Sequence, residues 1–295
     1  MVSANKSFTV GVVVAAYGGV PYLSETLDSL VKTQASSVPI YVLDDASPTR
    51  DVAEVAEVFA PRVTYLRSNI NRGVSGSFNA AADLIETDYL MLVGPDDRVT
   101  TCLETYINEL PDTARNAVVI QPGVSVIDSE GKDVKPLNDR VKNLIAPKND
   151  AKHSGQDLAV TFLKGDWVYN PSLLWKVDYL RSLRYDESLK TAMDLEILLR
   201  LTFLGDSLYR SKGKVFEYRR HSEAVSSKNA GLQRLGEELR IHEFANTKSI
   251  ALGWTNASIW SRIALTPRLH GLLIALGTIR NPDWDLWKLL STRIH

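Results

Sequence analysis

The chain has 295 residues, of which 44% are hydrophobic and 23% are charged, and its formal net charge is −1. A chain of this size and composition can bury a large core, and its balanced charge gives no indication of a nucleic-acid partner. The single cysteine, Cys102, excludes an intramolecular disulfide framework and a metal site built from several cysteines. The sequence shows neither an apolar signal-peptide core nor an apolar run long enough to span a membrane, so we expect a cytoplasmic protein.

The N-terminal portion of the chain alternates between short apolar runs and amphipathic helical patterns. The patterns predict strands at 8–16, 39–43, 63–66 and 89–93, and helices at 22–32, 51–59 and 77–86. This alternation is typical of βαβ units with right-handed crossovers, and therefore of a mostly parallel sheet. Ligands of such sheets bind beyond the carboxyl ends of the strands.

Beyond residue 98 the periodicity is weaker. It predicts helices at 101–110, 156–163 and 193–204, and strands at 117–121, 124–128 and 214–220. The polar stretch 135–154 has irregular periodicity, and we interpret it as a mobile loop.

From about Gly231 the composition shifts towards tryptophan and basic residues. We expect one helix over 231–254 and two or three more over 259–293, broken at Pro267 and Pro282. An apolar stretch with isolated basic residues, 263–279, could lie at a membrane interface. Packing on its own domain or on a second subunit is the favoured interpretation.

Two adjacent carboxylates, Asp96 and Asp97, follow the apolar run 89–93 and its Gly-Pro turn. A pair of carboxylates at the end of a central strand is well placed to hold a divalent cation and, through it, a phosphate group. The alternative is an ordinary strand end with a turn and a helix cap, where Asp is common.

Six segments in chain order together resemble the family 2 glycosyltransferases, which are inverting enzymes of the GT-A fold. These segments are VGVVVAAY (10–17), IYVLDDASP (40–48), NRGVSGSFNAA (71–81), YLMLVGPDD (89–97), YDESLKTAMDLEILLRL (185–201) and YRRHSEAVS (218–226). The resemblance implies an α/β fold with a Rossmann-like, mostly parallel sheet flanked by helices.

We therefore expect a GT-A domain over 1–225, followed by a helical C-terminal extension over 226–295. By resemblance, residues 1–98 bind the nucleotide sugar and residues 99–225 receive the acceptor. The extension is a candidate for contact with a second copy of the chain or with the inner face of the cell membrane.

The resemblance also implies which side chains meet the nucleotide sugar. Asp45 is the better candidate for accepting a hydrogen bond from the base imide, which favours a UDP or dTDP donor. Gly73 lets the backbone approach a ligand closely, and Arg72 could pair with the diphosphate. The donor-binding residues predicted in this way are Ala15, Tyr17, Asp44, Asp45, Asn71, Arg72, Gly73, Ser75, Asn79 and Asp96.

Each of these assignments has a structural alternative. Tyr17 could be an ordinary turn aromatic, and Asp45 could form an Asx-turn that caps the next helix. The loop 71–79 could be the start of a capped surface helix, since it matches neither a Walker A loop nor GxGxxG. The family usually has Pro and Asn at the positions of Ala15 and Gly18.

The family's Asp-any-Asp metal motif corresponds here to Asp96 and Asp97, with Gly94 in place of its first acid. The resemblance implies Mg²⁺ or Mn²⁺ at these two carboxylates, bridged to the donor diphosphate, with His221 as a third ligand. An exposed loop histidine is the alternative interpretation of His221.

The candidate catalytic base is Asp194, the second acid of a family Glu-Asp pair that reads Met193-Asp194 in this chain. In an inverting transferase, one carboxylate takes the proton from the attacking hydroxyl. Asp194 could instead cap its helix, and Glu196 is a weaker second candidate for the base.

By resemblance, the activity is transfer of a sugar from a nucleoside-diphosphate donor to a hydroxyl of a glycan or glycolipid, in bacterial polysaccharide or cell-envelope assembly. A sugar-phosphate nucleotidyltransferase is an alternative, although it would need a basic, Gly-rich loop at 17–21, where no basic residue stands. A non-catalytic nucleotide-sugar-binding relative is the other alternative, because Gly94 and Met193 replace family acids.

Overall fold

The structure, a computed structural model, describes residues 7–221 and 231–278. Within these residues the strands form a single sheet. They are β1 (Val10–Ala16), β2 (Ile40–Asp44), β3 (Thr64–Arg67), β4 (Tyr89–Val93), β5 (Arg98–Val99), β6 (Val119–Ile127), β7 (Ala151–Ser154), β8 (Leu174–Lys176) and β9 (Ser207–Arg219). Their order is β3-β2-β1-β4-β8-β6-β9-β5, and β7 pairs with β9.

Helices cover both faces of this sheet. In chain order they are α1 (Leu23–Thr33), α2 (Asp51–Glu57), α3 (Gly73–Leu84), α4 (Leu103–Glu109), α5 (Asp112–Arg115), α6 (Leu137–Ile145), α7 (Gly155–Lys164), α8 (Val177–Leu183), α9 (Met193–Phe203), α10 (Leu232–Ala251), α11 (Thr255–Ile263) and α12 (Leu265–Thr278). A short 3-10 turn, Asn170–Ser172, precedes β8.

The N-terminal half of the sheet is parallel throughout, as the alternation of strands and helices predicts. The central strand β1 pairs in parallel with β2 on one side and with β4 on the other. The second half is mixed, because β8 runs antiparallel to both β4 and β6 while β9 runs parallel to β6. The predicted α/β class is confirmed, and the parallel character belongs mainly to the first four strands.

Two apolar cores lie on opposite faces of the sheet. Along β1, Val13 belongs to the core beneath α3, α7 and α9, whereas Val12 and Val14 belong to the core beneath α1 and α4. Successive side chains of a strand point to opposite faces, so a strand covered on both faces reads as a continuous apolar run. This explains why β1 and β4 are so apolar in sequence.

The prediction of a loop over 135–154 is wrong, because this stretch contains α6 and β7. Distant partners hold α6 in place. Asp139 pairs with Arg220 at 2.7 Å, and the ammonium group of Lys142 donates to the Val168 carbonyl at 2.8 Å. Local periodicity carries no information about such long-range contacts, so the sequence pattern alone could not reveal this helix.

Several predicted boundaries also differ from the structure, and the strand predicted at 214–220 is the end of the longer strand β9, which starts at Ser207. The predicted strands 117–121 and 124–128 are one strand, β6, with an irregular register around Gly123. Helix α3 starts at Gly73 rather than Ser77. The break in the extension falls at Ala264, which has a left-handed φ of 44°, and Pro267 lies inside the first turn of α12. Pro282 and the predicted helix beyond Thr278 lie outside the described residues.

The extension packs against the rest of the chain through aromatic and helical contacts. Helix α10 contacts α9, and α11 contacts α7. Trp254 stacks on Phe203 with ring centroids 5.5 Å apart, and the Lys164 ammonium lies 4.8 Å from the Trp260 ring centroid. None of the helices in the described portion of the chain has the length and apolarity needed to cross a bilayer.

We predict that Gly123→Ala destabilises the protein. A Cβ at Gly123 would overlap the backbone of Lys212 and Gly213 in the neighbouring strand β9, and backbone cannot move aside as a flexible side chain can. Overpacking of this kind costs roughly 1–3 kcal/mol in the free energy of unfolding. Chemical denaturation measures it, with Gly19→Ala as the matched control because a Cβ there meets nothing within 4 Å. Equal stability of the two variants would contradict the close approach at β6.

Candidate functional site

The turns after β1 and β2 are joined directly at the carboxyl edge of the sheet. The Asp45 amide donates to the Ala16 carbonyl at 2.9 Å, and the Gly18 amide donates to the Ser47 hydroxyl at 3.0 Å. Tyr17 stands between these contacts with 54% of its surface exposed. Ala15 is partly buried within β1. The turn therefore presents an aromatic face to solvent at the edge where ligands of such sheets bind.

Asp44, predicted to meet the nucleotide, is completely buried and binds its own neighbours. Its carboxylate accepts hydrogen bonds from the Ser47 amide at 2.8 Å and from the Tyr65 hydroxyl and Arg67 guanidinium at 2.6 Å each. Burial alone would raise the pKa of Asp44, but these hydrogen bonds and the charge of Arg67 outweigh it and lower the pKa. In this structure Asp44 fixes the turn between β2 and α2.

Asp45 caps helix α3. Its two carboxylate oxygens accept the backbone N–H groups of Arg72 and Gly73, both at 2.8 Å, and Gly73 also donates to the Asn71 side chain at 2.9 Å. The backbone N–H groups at this predicted ligand-binding loop are thus engaged by Asp45. The Arg72 side chain itself is exposed. The structural and functional interpretations of Asp45 remain compatible, since a carboxylate oxygen can accept more than one hydrogen bond.

Ser75 and Asn79 face another segment of the protein. The Ser75 hydroxyl donates to the Leu189 carbonyl at 3.2 Å, and the Asn79 side chain exchanges hydrogen bonds with the Tyr185 backbone at 2.8 and 3.0 Å. Both side chains are buried. They tie α3 to the segment that leads into α9, and their assignment as donor ligands stays a prediction.

The structure brings together the three predicted metal ligands. The His221 Nε2 lies 2.8 Å from the Asp96 Oδ2, and Asp97 Oδ1 accepts the Arg219 backbone N–H at 2.9 Å. Arg219 is itself buried and donates its Nε–H to the Asp96 carbonyl at 2.8 Å. The end of β9 is therefore bound to the turn after β4, which places His221 beside the paired carboxylates.

The carboxylates of Asp96 and Asp97 lie close enough to repel each other, and a divalent cation between them would remove this repulsion. A Cβ at Gly94 would lie 2.7 Å from Asp96 Oδ1 and 3.0 Å from Asp97 Oδ2, so both oxygens face the same small space. Among the described residues, the buried Asp97 Oδ2 finds no hydrogen-bond partner. Burial and the nearby Asp96 charge raise the pKa of Asp97 well above its usual range. A cation would supply the missing partner and stabilise both charges.

Protein groups alone would not complete such a coordination shell. Within residues 7–221 and 231–278, no group of three or more His, Cys, Asp or Glu side chains is arranged to hold a metal ion. Mg²⁺ and Mn²⁺ sites commonly take one or two carboxylates and fill the shell with water and substrate oxygens. The pair Asp96 and Asp97 fits that pattern, with His221 adjacent.

Asp194 lies in the first turn of α9, and the pKa of its carboxyl group is raised. Burial raises its pKa to about 7, assisted by the negative charge of Asp166, while Lys142 and Arg234 act in the opposite direction. Its Oδ1 accepts the N–H of the next residue, Leu195, at 2.9 Å. A carboxyl group with a pKa near neutrality suits reversible proton transfer. The second candidate, Glu196, is held in an ion pair with Arg200 at 2.8 Å.

The loop before Asp194 is held by Glu237 of the extension. Its carboxylate accepts the backbone N–H groups of Lys190, Thr191 and Ala192 at 2.9–3.1 Å, and the Thr191 hydroxyl at 2.7 Å. Glu237 thus holds the backbone that leads into α9. Within the first turn, Asp194 itself accepts the Leu195 N–H, so its capping role and its proposed chemical role are compatible. Burial alone would raise the pKa of Glu237, but the hydrogen bonds dominate and lower it to about 2.

This arrangement is an α/β fold of the GT-A class, with acidic turns at the sheet edge and a second acidic group, formed by Asp166 and by Asp194 at the start of α9. The family model described as glycosyl transferase family 2 matches residues 11–176, which is more than half of the chain. The chain belongs to this family and is therefore a glycosyltransferase, as the six sequence segments predict.

Similar proteins agree with this placement. An uncharacterised glycosyltransferase of Rickettsia prowazekii is 24% identical over 77% of this chain and 68% of its own length. The succinoglycan biosynthesis protein ExoO of Rhizobium meliloti is 25% identical over 46% of this chain and 38% of its own length.

Solved structures show the same fold at low identity. TarS of S. aureus in complex with UDP-GlcNAc superimposes with a TM-score of 0.70 and 14% identity, covering 96% of this chain and 78% of that one. The mannosyltransferase PcManGT of Pyrobaculum calidifontis in complex with GDP-Man and Mn²⁺ gives 0.60 and 13%, covering 97% and 79%.

Sequence reasoning missed Asp166, Arg219 and Glu237. Asp166 follows a glycine at the end of a helix, where an acid is an ordinary turn residue. Arg219 reads as one of two basic residues at the end of a strand, and Glu237 as belonging to the solvent-facing side of a helix. Each acquires its role from a partner that is distant in sequence, so no local signal distinguishes it.

We predict that Glu237→Gln destabilises the protein at neutral pH. Because the pKa of Glu237 falls from 4.5 to about 2 on folding, its stabilisation is fully present above pH 4.5 and is lost as the pH falls towards 2. A shift of this size corresponds to roughly 3 kcal/mol. Denaturant unfolding at pH 7 and pH 3 measures the difference between wild type and variant, which should shrink at the lower pH.

Glu243→Gln, an exposed change on the same helix α10, is the matched control and should leave the stability unchanged. A gap between wild type and Glu237→Gln that stays constant with pH would contradict the role of the ionised carboxylate.

Proposed function

We propose that this protein transfers a sugar, with inversion, from a UDP- or dTDP-sugar to a hydroxyl of a glycan or glycolipid acceptor. The observation that carries the proposal is Asp194, a carboxyl group whose pKa is raised to about 7 beside a second acid, Asp166, in a transferase of family 2. A single displacement needs a single base, and Asp194 can exist as carboxylate or acid near neutral pH.

Several features support a pyrimidine nucleotide donor. Exposed Tyr17 can stack on a base. Asp45, buried at the neighbouring strand end, accepts the N–H groups of Arg72 and Gly73, and its oxygens keep further lone pairs for a base N–H. An acceptor at this position matches the imide N–H of uracil or thymine. The TarS neighbour was solved with UDP-GlcNAc, whereas the PcManGT neighbour was solved with GDP-Man, so the fold alone leaves the base open.

The proposed reaction is one balanced displacement. The acceptor oxygen attacks the anomeric carbon while its proton passes to an Asp194 carboxylate oxygen. The bond from the anomeric carbon to the donor phosphate oxygen breaks, and the bonding electrons leave with the nucleoside diphosphate. Asp194 later releases the proton to solvent, which a group with a pKa near 7 does readily.

A divalent cation, Mg²⁺ or Mn²⁺, is proposed at Asp96 and Asp97, where its charge would stabilise the departing diphosphate. Asp97 contributes a buried oxygen without a partner among the described residues, and Asp96 contributes an oxygen to the same space. His221 holds Asp96 by a 2.8 Å contact and can serve as a further ligand. Arg219 orients the turn through the Asp96 carbonyl. The PcManGT neighbour was solved with GDP-Man and Mn²⁺, which supports a divalent metal as cofactor.

The setting we propose is assembly of a bacterial surface polysaccharide. The matched relative ExoO is described as a succinoglycan biosynthesis protein, which supports a glycan product. A non-catalytic relative would bind the donor without turnover, so measurement of donor consumption distinguishes the two functions.

We predict that Asp194→Asn lowers turnover at least about 100-fold while donor binding is kept, because the acceptor proton then has no base. In the wild type, turnover should rise as the pH passes through about 7, as Asp194 ionises. Donor hydrolysis with Mn²⁺ over roughly pH 5.5–8.5 measures both effects. Glu196→Gln removes a carboxylate from the same helix turn and is the matched control. Equal turnover in wild type and Asp194→Asn would show that Asp194 is not the catalytic base.

We predict that metal removal abolishes donor-induced stabilisation. A bound donor raises the melting temperature by mass action, so a panel of UDP-, dTDP- and GDP-sugars should shift it only in the presence of Mn²⁺ or Mg²⁺. Chelation with EDTA, or Asp96→Asn, should cancel the shift, whereas Asp88→Asn, at the opposite end of β4, should keep it. A donor shift of the same size in EDTA would contradict the metal site.

A further inference from the structure

Two helices from distant regions of the chain display apolar stripes to solvent. On α6, Leu137 and Leu144 are 72% and 75% exposed, with Val141 between them. On α12, Leu265, Leu269 and Leu272 are 43–54% exposed. In each helix the three positions follow i, i+4, i+7 spacing, so they lie on one face. An exposed large apolar stripe is uncommon on a soluble surface and indicates a contact.

The two stripes belong to one region of the surface. A Cβ at Gly165 would lie 2.9 Å from the Ile145 side chain at the end of α6 and 3.6 Å from the Thr266 hydroxyl at the start of α12. The same hydroxyl lies 3.3 Å from the Lys164 carbonyl. Gly165 therefore lies between the end of α6 and the start of α12. We call the stretches 135–148 and 252–278, which contain these two helices, the apolar–basic surface.

The charges on this surface have a single sign. Its exposed charged side chains in the stretches 135–148 and 252–278 are Lys135, Arg140, Lys148, Arg262 and Arg268. The sequence 252–278 contains no Asp or Glu, and the only acid in 135–148 is Asp139. Asp139 is buried and bonded to Arg220 at 2.7 and 2.9 Å. The stretches that carry the exposed apolar stripes are thus basic, although the net charge of the chain is −1, and exposed Asp133 and Asp150 lie just outside the first stretch.

We propose that the apolar–basic surface docks on an anionic lipid bilayer. Leucines that enter the interface and arginines that pair with lipid phosphates are the two elements of peripheral membrane binding. A protein partner would need a carboxylate-rich apolar patch, whereas a second copy of this surface would bring like charges together. The observations therefore favour a membrane over self-association.

The surface is connected to the surroundings of the proposed base through Lys142. Lys142, on the inner side of α6, has its ammonium nitrogen 3.8 Å from a carboxylate oxygen of Asp166, which follows Gly165 in the chain. The charges of Lys142 and Asp166 both act on Asp194. A bilayer docked on this surface would bring a lipid-linked hydroxyl to the side of the protein that carries Lys142 and Asp166. This assignment of a lipid-linked acceptor rests on the proposed function, whereas the docking itself does not.

The test is co-sedimentation of the full chain with vesicles. We expect retention on vesicles of equal amounts of phosphatidylcholine and phosphatidylglycerol, and little on phosphatidylcholine alone. Arg140→Gln and Arg268→Gln should each weaken retention about fivefold, and the double change Leu144→Asp with Leu269→Asp should weaken it by a larger factor. The control is Val58→Asp, which alters a 78% exposed residue beside α2 and should leave retention unchanged.

Two further readouts separate the possible outcomes. Unchanged melting temperatures and unchanged donor hydrolysis in the surface variants would show that fold and donor site are intact. If wild type is not retained on anionic vesicles, the proposal is overturned. Light scattering would then test whether the apolar–basic surface instead forms a dimer. If retention holds while Asp194→Asn is fully active, docking stands and the proposed function fails.

Discussion

The contacts of the buried Arg219 guanidinium group hold the edge of the sheet at which we propose that the donor binds. The group donates to the carbonyls of Asp96, Asp128 and Ser129, and lies 2.8 Å from the Glu25 carboxylate and over the Tyr22 ring. One side chain thus connects the end of β9 to the turn after β4 and to the start of α1. A buried charge of this kind is stable only when its surroundings are fully arranged, so it specifies one geometry for the turn that carries Asp96 and Asp97.

A similar dependence connects the extension to the segment that carries Asp194. Glu237 belongs to α10, yet its hydrogen bonds fix the backbone of Lys190–Ala192, which leads directly into Asp194. The same helix carries Arg234, whose charge lowers the pKa of Asp194. The extension therefore contributes hydrogen bonds and a positive charge to the surroundings of Asp194. Its folding and the position of the proposed base are coupled.

The direction of the pKa shift separates the carboxylates of this protein into two groups. Asp44 and Glu237 have lowered pKa values because hydrogen bonds outweigh their burial, and each stabilises a turn in its ionised form. Asp97 and Asp194 have raised pKa values because burial and a neighbouring acid dominate. Ionisation of this second group costs stability. Such costs are characteristic of functional sites, where a cation or a transferred proton compensates them.

Periodicity and motif order were sufficient for the parallel half of the sheet and for the family, and they selected Asp96, Asp97 and Asp194 as candidate site residues, because these inferences depend on local chain pattern. Tertiary structure alone decided that α6 is a helix, that Ser75 and Asn79 turn towards the Tyr185–Met193 segment, and that Asp45 caps α3. It also decided that Glu237 accepts the backbone N–H groups of the loop before Asp194. Each of these depends on a hydrogen-bond partner that is distant in sequence, and a buried polar group takes whichever partner the fold brings within reach.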